Sequence, residues 1–364
     1  MSEGTKRTLR ADVGSLFIVG LGGMELTNME RSWLRLVAPS GIILFRRNFE
    51  TAAQSHALLD AACAECTPRA FRCVDVEGGM VNRLRDALAP IAAAQDVAKT
   101  GDKKLMRKHG ELIADAVKAF GFNTSFAPVL DLALPDSAEV MGTRSPAATA
   151  EGVAEYGHEF LEGLAKRGVV GCGKHFPGLG GGTVDSHHLT PAIERSWKEL
   201  WEQDLAPYRD LKKEMPFVMV NHAAYPQTKD KTRPATASKF WAKILHEKIG
   251  YKGIILSDDL EMGGILKFLP IDKAAVEVFR AGMDMALVCH NAELVIAAYE
   301  AVLSEAERSA EFRKIIVGRA RFAARQRERL VAKKPAKALT ALEYEALRAK
   351  IFVFNELVAK RQQA

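Results

Sequence analysis

"GIILSDDLEM", residues 253–262, sets a run of apolar and β-branched side chains directly against two adjacent carboxylates, Asp258 and Asp259. A strand buried on both faces reads this way, because parallel strands sheltered by helices carry near-continuous apolar runs. Seven further runs share the pattern: "SLFIVG" (15–20), "GIILF" (41–45), "FRCVDV" (71–76), "TSFAPVL" (124–130), "VVGCGKHF" (169–176), "PFVMVNH" (216–222) and "DMALVCH" (284–290). Helical patterns lie between them, and strands alternating with helices imply parallel strands joined by crossovers. "KKLMRKHGELIADAVKAFGFN" (103–123) places Ile113, Val117 and Phe120 at helical spacing and stops at Gly121. Residues 147–168 and 235–253 read as similar helices. Eight such strands predict an α/β fold, a closed (β/α)8 TIM-type barrel over residues 1–330, with a doubly wound sheet as the alternative. "AKKPAK" (332–337) marks a break before a C-terminal helical extension over 331–364.

Composition narrows the class. Of 364 residues, 26% are charged and 48% hydrophobic, the balance of a globular chain rather than a disordered one. No apolar stretch of about 18 residues is present to span a bilayer. The opening residues lack a secretory pattern, so a cytoplasmic location is expected. The net charge of +6 is a mild excess. Without an aromatic-studded basic stripe it does not point to nucleic acid, and "RARFAARQRERLVAKK" (319–334) reads as a solvated helix face. Five scattered cysteines suit a reducing compartment. Cys63 and Cys66 form a C-x-x-C on a helical stretch with no second pair to complete a zinc site.

In a barrel of this kind the active site forms at the carboxyl ends of the strands. The third run ends in Asp75 and Glu77, the fifth in Lys174 and His175, the sixth in Asn221 and His222, and the seventh in Asp258 and Asp259, while Arg144 follows the fourth. A carboxylate held at a strand end suits a nucleophile that must stay in attack range of one carbon. Adjacent residues of a strand face opposite ways, so only one of Asp258 and Asp259 can serve, and the spacing does not say which. After the fifth run, "GLGGG" (178–182) leads into "DSH", with Asp185 and His187 two residues apart. In an extended segment that spacing lets the carboxylate hold one imidazole nitrogen and makes His187 a candidate acid/base. Asp75, Arg83, Arg144, Lys174 and His175 supply fixed donors and acceptors of the kind sugar hydroxyls and an acetamide require. The histidines and aspartates could alternatively ligate a metal, but "IVGLGGM" (18–24) offers no ligand after the first strand, and no cofactor is expected.

The motifs "GIILFRRN" (41–48), "VDVEGGMVNRL" (74–84), "NTSFAPVLDL" (123–132), "GTRS" (142–145), "KHFPGLGGGTVDSH" (174–187), "MVNHAAYP" (219–226) and "GIILSDDLEM" resemble glycoside hydrolase family 3, in its β-N-acetylglucosaminidase branch. The resemblance implies a retaining exo-β-N-acetylhexosaminidase acting on terminal β-linked N-acetylglucosamine, as in recycling of peptidoglycan muropeptides. It implies Asp258 as nucleophile and His187, assisted by Asp185, as acid/base. Asp75, Arg83, Arg144, Lys174 and His175 would then grip the terminal sugar. A β-glucosidase or phosphorylase on the same framework, or a barrel that only binds sugar, is the alternative. The chain departs from the family at Leu179, where histidine is frequent, and at Gly181 and Gly182, where many relatives carry larger residues.

Overall fold

The computed structural model describes residues 8–182 and 191–363. Eight parallel strands form one sheet: β1 (Phe17–Gly20), β2 (Gly41–Leu44), β3 (Phe71–Val74), β4 (Thr124–Ser125), β5 (Cys172–Phe176), β6 (Phe217–Val220), β7 (Ile254–Asp259) and β8 (Met285–Val288). The order runs from β4 through β3, β2, β1, β8, β7 and β6 to β5. Parallel bridges Thr124↔Val170 and Val129↔Lys174 join the two ends and close the barrel. The α/β barrel read from the eight apolar runs is therefore the fold.

Two expectations change in detail. The fourth run keeps regular strand structure only at Thr124–Ser125, because Pro128 has no N–H to continue the ladder. Beyond it the chain rejoins the seam, where Leu130 N donates to Lys174 O at 2.6 Å. The third run divides at Asp75: Val76–Gly78 leaves the barrel and pairs antiparallel with Val81–Asn82, forming a hairpin over the mouth.

The amino-terminal end of the barrel is plugged by aromatic rings. Phe71 on β3 meets Phe217 on β6 edge-on at 4.9 Å, and Phe126 reaches the same ring at 6.4 Å. Offset and edge-on arrangements of this kind add to plain area burial. The interior is thus packed below and open above.

Outside the barrel, helix α1 (Lys103–Ala119) starts at Asp102, whose Oδ1 accepts from Lys104 N at 2.9 Å. It packs tightly on α2 (Ala150–Lys166): a Cβ on Gly110 would lie 2.2 Å from Phe160 O, and one on Gly163 would lie 2.4 Å from Arg107 O. Only glycine permits that approach. Helix α3 (Ala310–Leu330) is followed by an irregular stretch and then by α4 (Ala341–Gln363). Thr340 and Glu343 form reciprocal capping bonds at the start of α4. Its buried residues Leu347, Ile351, Phe354 and Val358 fall on one helical stripe.

Candidate active site

A cavity of about 540 Å³ opens where the strands end. Ile43, Phe126, Met219 and Leu287 form its apolar floor, and Asp75, Glu77, Arg83, Arg144, Lys174, His175 and Asp258 all line it. Positions spread over more than 180 residues of sequence meet here because parallel strands deliver them at or beyond their carboxyl ends.

The charges form a buried ladder. Lys174 Nζ lies 2.9 Å from Asp75 Oδ1 and 2.6 Å from Glu77 Oε1. Arg144 grips Glu77 with both arms, Nε to Oε2 at 2.8 Å and Nη2 to Oε1 at 2.9 Å. Burial opposes ionisation of Glu77, but the adjacent Arg144 and Lys174 charges override it and hold the carboxyl well below the usual range. Asp75 is held low in the same way, against its burial, by Lys174 and Arg83. Lys174, also buried, is pushed up by Asp75 and Glu77, and Arg144 is raised chiefly by Glu77 against its own burial. All four therefore stay charged at neutral pH. Two cations and two carboxylates compensate one another, which makes the buried arrangement tolerable.

His175 is fixed from behind. Asp131 Oδ2 lies 2.7 Å from its Nδ1, and the same carboxylate accepts from the backbone N–H of His175 and, at 2.7 Å, of Leu179. The carboxylate assigns a proton to Nδ1, so Nε2 faces Arg144 Nη2 at 3.4 Å. Arg83 is differently placed. Its guanidinium lies over the Phe45 ring at 5.7 Å, and its Nε is buried without a hydrogen-bond partner among the described residues. The residue itself lines the cavity.

The two aspartates of β7 are distinguished by their partners. Asp259 spends Oδ1 on the Glu261 N–H at 3.1 Å and Oδ2 on His290 Nε2 at 3.3 Å. Asp258 accepts only its neighbour's N–H, Asp259 N to Oδ1 at 2.8 Å, so Oδ2 has no hydrogen-bond partner among the described residues. His222 is buried outside the cavity lining, with Nδ1 2.7 Å from Thr236 Oγ1 and Nε2 2.9 Å from the Asp259 carbonyl. Among the described residues no group of three His, Cys, Asp or Glu side chains is placed to hold a metal ion.

Asp185 and His187 lie outside the described residues. The points where the chain departs and returns are both anchored. Leu179 is tied to Asp131, and Ala224 N donates to Pro191 O at 2.8 Å while Ile193 N donates to Ala224 O at 2.9 Å. Space beside Gly181 and Gly182 is filled by Arg195 and Ile193: added Cβ atoms would lie 2.8 Å from Arg195 Cδ and 2.9 Å from Ile193 Cδ1.

Asp131 and the bridging position of Glu77 were not singled out by the sequence reading. Asp131 ends "FAPVLD" as Asp258 ends "IILSD", so the same signal was there to find.

A parallel barrel whose mouth gathers a strand-end carboxylate and a fixed set of donors is the framework of a glycosidase, and this chain belongs to glycosyl hydrolase family 3. Residues 8–317 match the model of the family's N-terminal domain. A β-hexosaminidase of Neisseria meningitidis is 39% identical over 284 residues, covering 76% of this chain and 78% of the relative. Among solved structures, a family 3 β-N-acetylglucosaminidase of Paenibacillus sp. superposes with TM-score 0.84 at 32% identity, over 95% of this chain and 68% of that one. NagZ of Neisseria gonorrhoeae in complex with N-trifluoroacetyl-D-glucosamine superposes with TM-score 0.77 at 32% identity, over 93% and 98% of the two chains.

Proposed function

We propose that this protein is an exo-acting, retaining β-N-acetylhexosaminidase that removes terminal β-linked N-acetylglucosamine from muropeptide fragments of peptidoglycan. The β-hexosaminidase activity of its relatives and its family 3 barrel support the reaction class. The observation that carries the mechanism is Asp258, a strand-end carboxylate in the cavity with one oxygen uncommitted among the described residues.

In this reading the free oxygen of Asp258 attacks the anomeric carbon as the glycosidic C–O bond breaks, leaving a glycosyl ester on Asp258. His187, oriented by Asp185, gives its proton to the departing oxygen. It then takes a proton from water as that water displaces Asp258 and frees the sugar. Asp75, Arg83, Arg144, Lys174 and His175 hold the terminal sugar. The Asp75–Lys174–Glu77–Arg144 ladder gives the first of these a fixed geometry before substrate arrives, which lowers the cost of orientation. The substrate would be met in the cytoplasm, and cell fractionation tests that location.

The decisive measurement compares rates on chromogenic β-N-acetylglucosaminide and β-glucoside for wild type and Asp258→Ala, with and without phosphate. The acetamido sugar is expected to be preferred, the rate to be indifferent to phosphate, and turnover to vanish in the variant. His187→Ala is expected to slow substrates with poor leaving groups by about 10²–10⁴ and those with acidic leaving groups less. A glycosyl adduct trapped on another residue, or equal losses for both leaving-group classes, would overturn the assigned roles.

A further inference from the structure

A second cavity, about 460 Å³, lies at the opposite end of the barrel. Arg69 and Ala70 enter it just before β3, Asn123 just before β4, and Lys333 and Lys334 from the stretch that follows α3. Substrate sites of barrel enzymes form at the carboxyl ends of the strands, so this pocket belongs to different chemistry. Its lining among the described residues includes six cationic side chains, Arg69, Arg72, Lys118, Arg167, Lys333 and Lys334, and no carboxylate.

The surrounding carboxylates compensate only part of that charge. Asp60 lies 2.7 Å from Arg72 Nη2, while Glu111 and Asp115 lie 3.0 and 3.7 Å from Arg167. Glu111 is shared with Lys166 at 2.7 Å. Lys118 and Arg69 donate to neutral carbonyls, those of Arg167 and Glu328. Lys333 and Lys334 have no ion-pair partner among the described residues. Arg72 has a side chain nine-tenths buried: Asp60 takes its Nη2, the Cys63 thiol lies against its guanidinium, and Nη1 has no oxygen acceptor among the described residues. Gathering unneutralised cations around a concavity is unfavourable unless an anion joins them.

We propose that this pocket binds a small phosphate-bearing molecule. A single carboxylate would neutralise too little of the charge. Phosphate brings up to two charges and several acceptors, matched to guanidinium forks and lysine ammonium groups together. The volume lies in the range that holds a small-molecule ligand. The C-terminal part of the lining, Val331–Ala336, lies beyond residues 8–317, which match the family's N-terminal domain.

Titration calorimetry of the full chain with pyrophosphate at low ionic strength tests the proposal. One saturable site is expected, with no comparable binding of acetate, and at least about tenfold weaker binding in a Lys333→Ala, Lys334→Ala double variant that has lost two charge-assisted contacts. Both lysines are exposed, so the variant should fold and keep wild-type glycosidase rates, which confirms its integrity. Absence of a saturable isotherm, equal affinity in the double variant, or acetate binding as tightly would overturn the proposal. So would displacement of pyrophosphate by N-acetylglucosamine, which would place the anion in the catalytic mouth instead.

Discussion

His109, on α1, is fully buried, with Nδ1 2.9 Å from the Tyr156 hydroxyl and its ring stacked on Phe354 of α4 at 5.7 Å. Burial pushes its imidazole pKa down to about 3, although a backbone bond with Ala92 works the other way. The unfolded chain takes up that proton near pH 6.5. A group whose folded pKa is depressed contributes stability above its unfolded pKa and loses it as pH falls, here through the window from about 6.5 toward 3. Midpoints of urea unfolding should therefore decline over that window, and His109→Gln should flatten the decline whatever its effect at neutral pH. An unchanged slope in the variant would assign the acid sensitivity elsewhere. Nothing in "MRKHGEL" (106–112) betrays this role, because a histidine on an amphipathic helix reads the same whether it meets solvent or three aromatic rings.

At the scale of elements, α4 braces the site from behind. Asn355 Oδ1 accepts from Ala92 N and its Nδ2 donates to Pro90 O, both at 2.9 Å, while Gln362 Nε2 donates to Asp96 O at 2.9 Å. The loop so held meets the hairpin that carries Glu77, through Gly79 N to Ile91 O at 2.8 Å and Asn82 Nδ2 to Ala89 O at 3.1 Å. Asn355→Ala is expected to cost about 1–3 kcal/mol and to raise KM for the β-N-acetylglucosaminide more than it lowers kcat. Asn355→Asp, which keeps the acceptor for Ala92, should recover part of the loss. A fall in stability with KM unchanged would make the helix a brace for the fold alone. Of the elements, the strands were the most legible, since burial on both faces leaves an uninterrupted apolar run that must end where the chain meets solvent. That rule points to Asp75, Lys174 and Asp258, all of which line the cavity. The rule overran at the fourth strand, where Pro128 breaks the ladder. It was also silent on pairings such as Lys174 with Glu77, which sequence periodicity cannot show because they are set by barrel closure.

In the whole molecule, the mouth ladder joins segments that the chain delivers separately: β5 carries Lys174, the end of β3 and its hairpin carry Asp75 and Glu77, and the turn after β4 carries Arg144. It therefore crosses the seam between β4 and β5 where the barrel closes. Glu77→Ala strips the shared partner from two buried cations and is expected to cost about 3–5 kcal/mol, read as a lower thermal midpoint. A variant as stable as wild type would show that water or rearrangement replaces the carboxylate. This fastening also constrains how such a chain can change over generations. On the proposed roles, the groups that grip the sugar also fasten the barrel's last joint, so specificity and foldability would be inherited as one trait. A lineage drifting toward another sugar would need to secure that joint by other contacts before Asp75 or Lys174 could be exchanged, so new specificities should arise first at Arg83 and Asp258's other neighbours, outside the fastening.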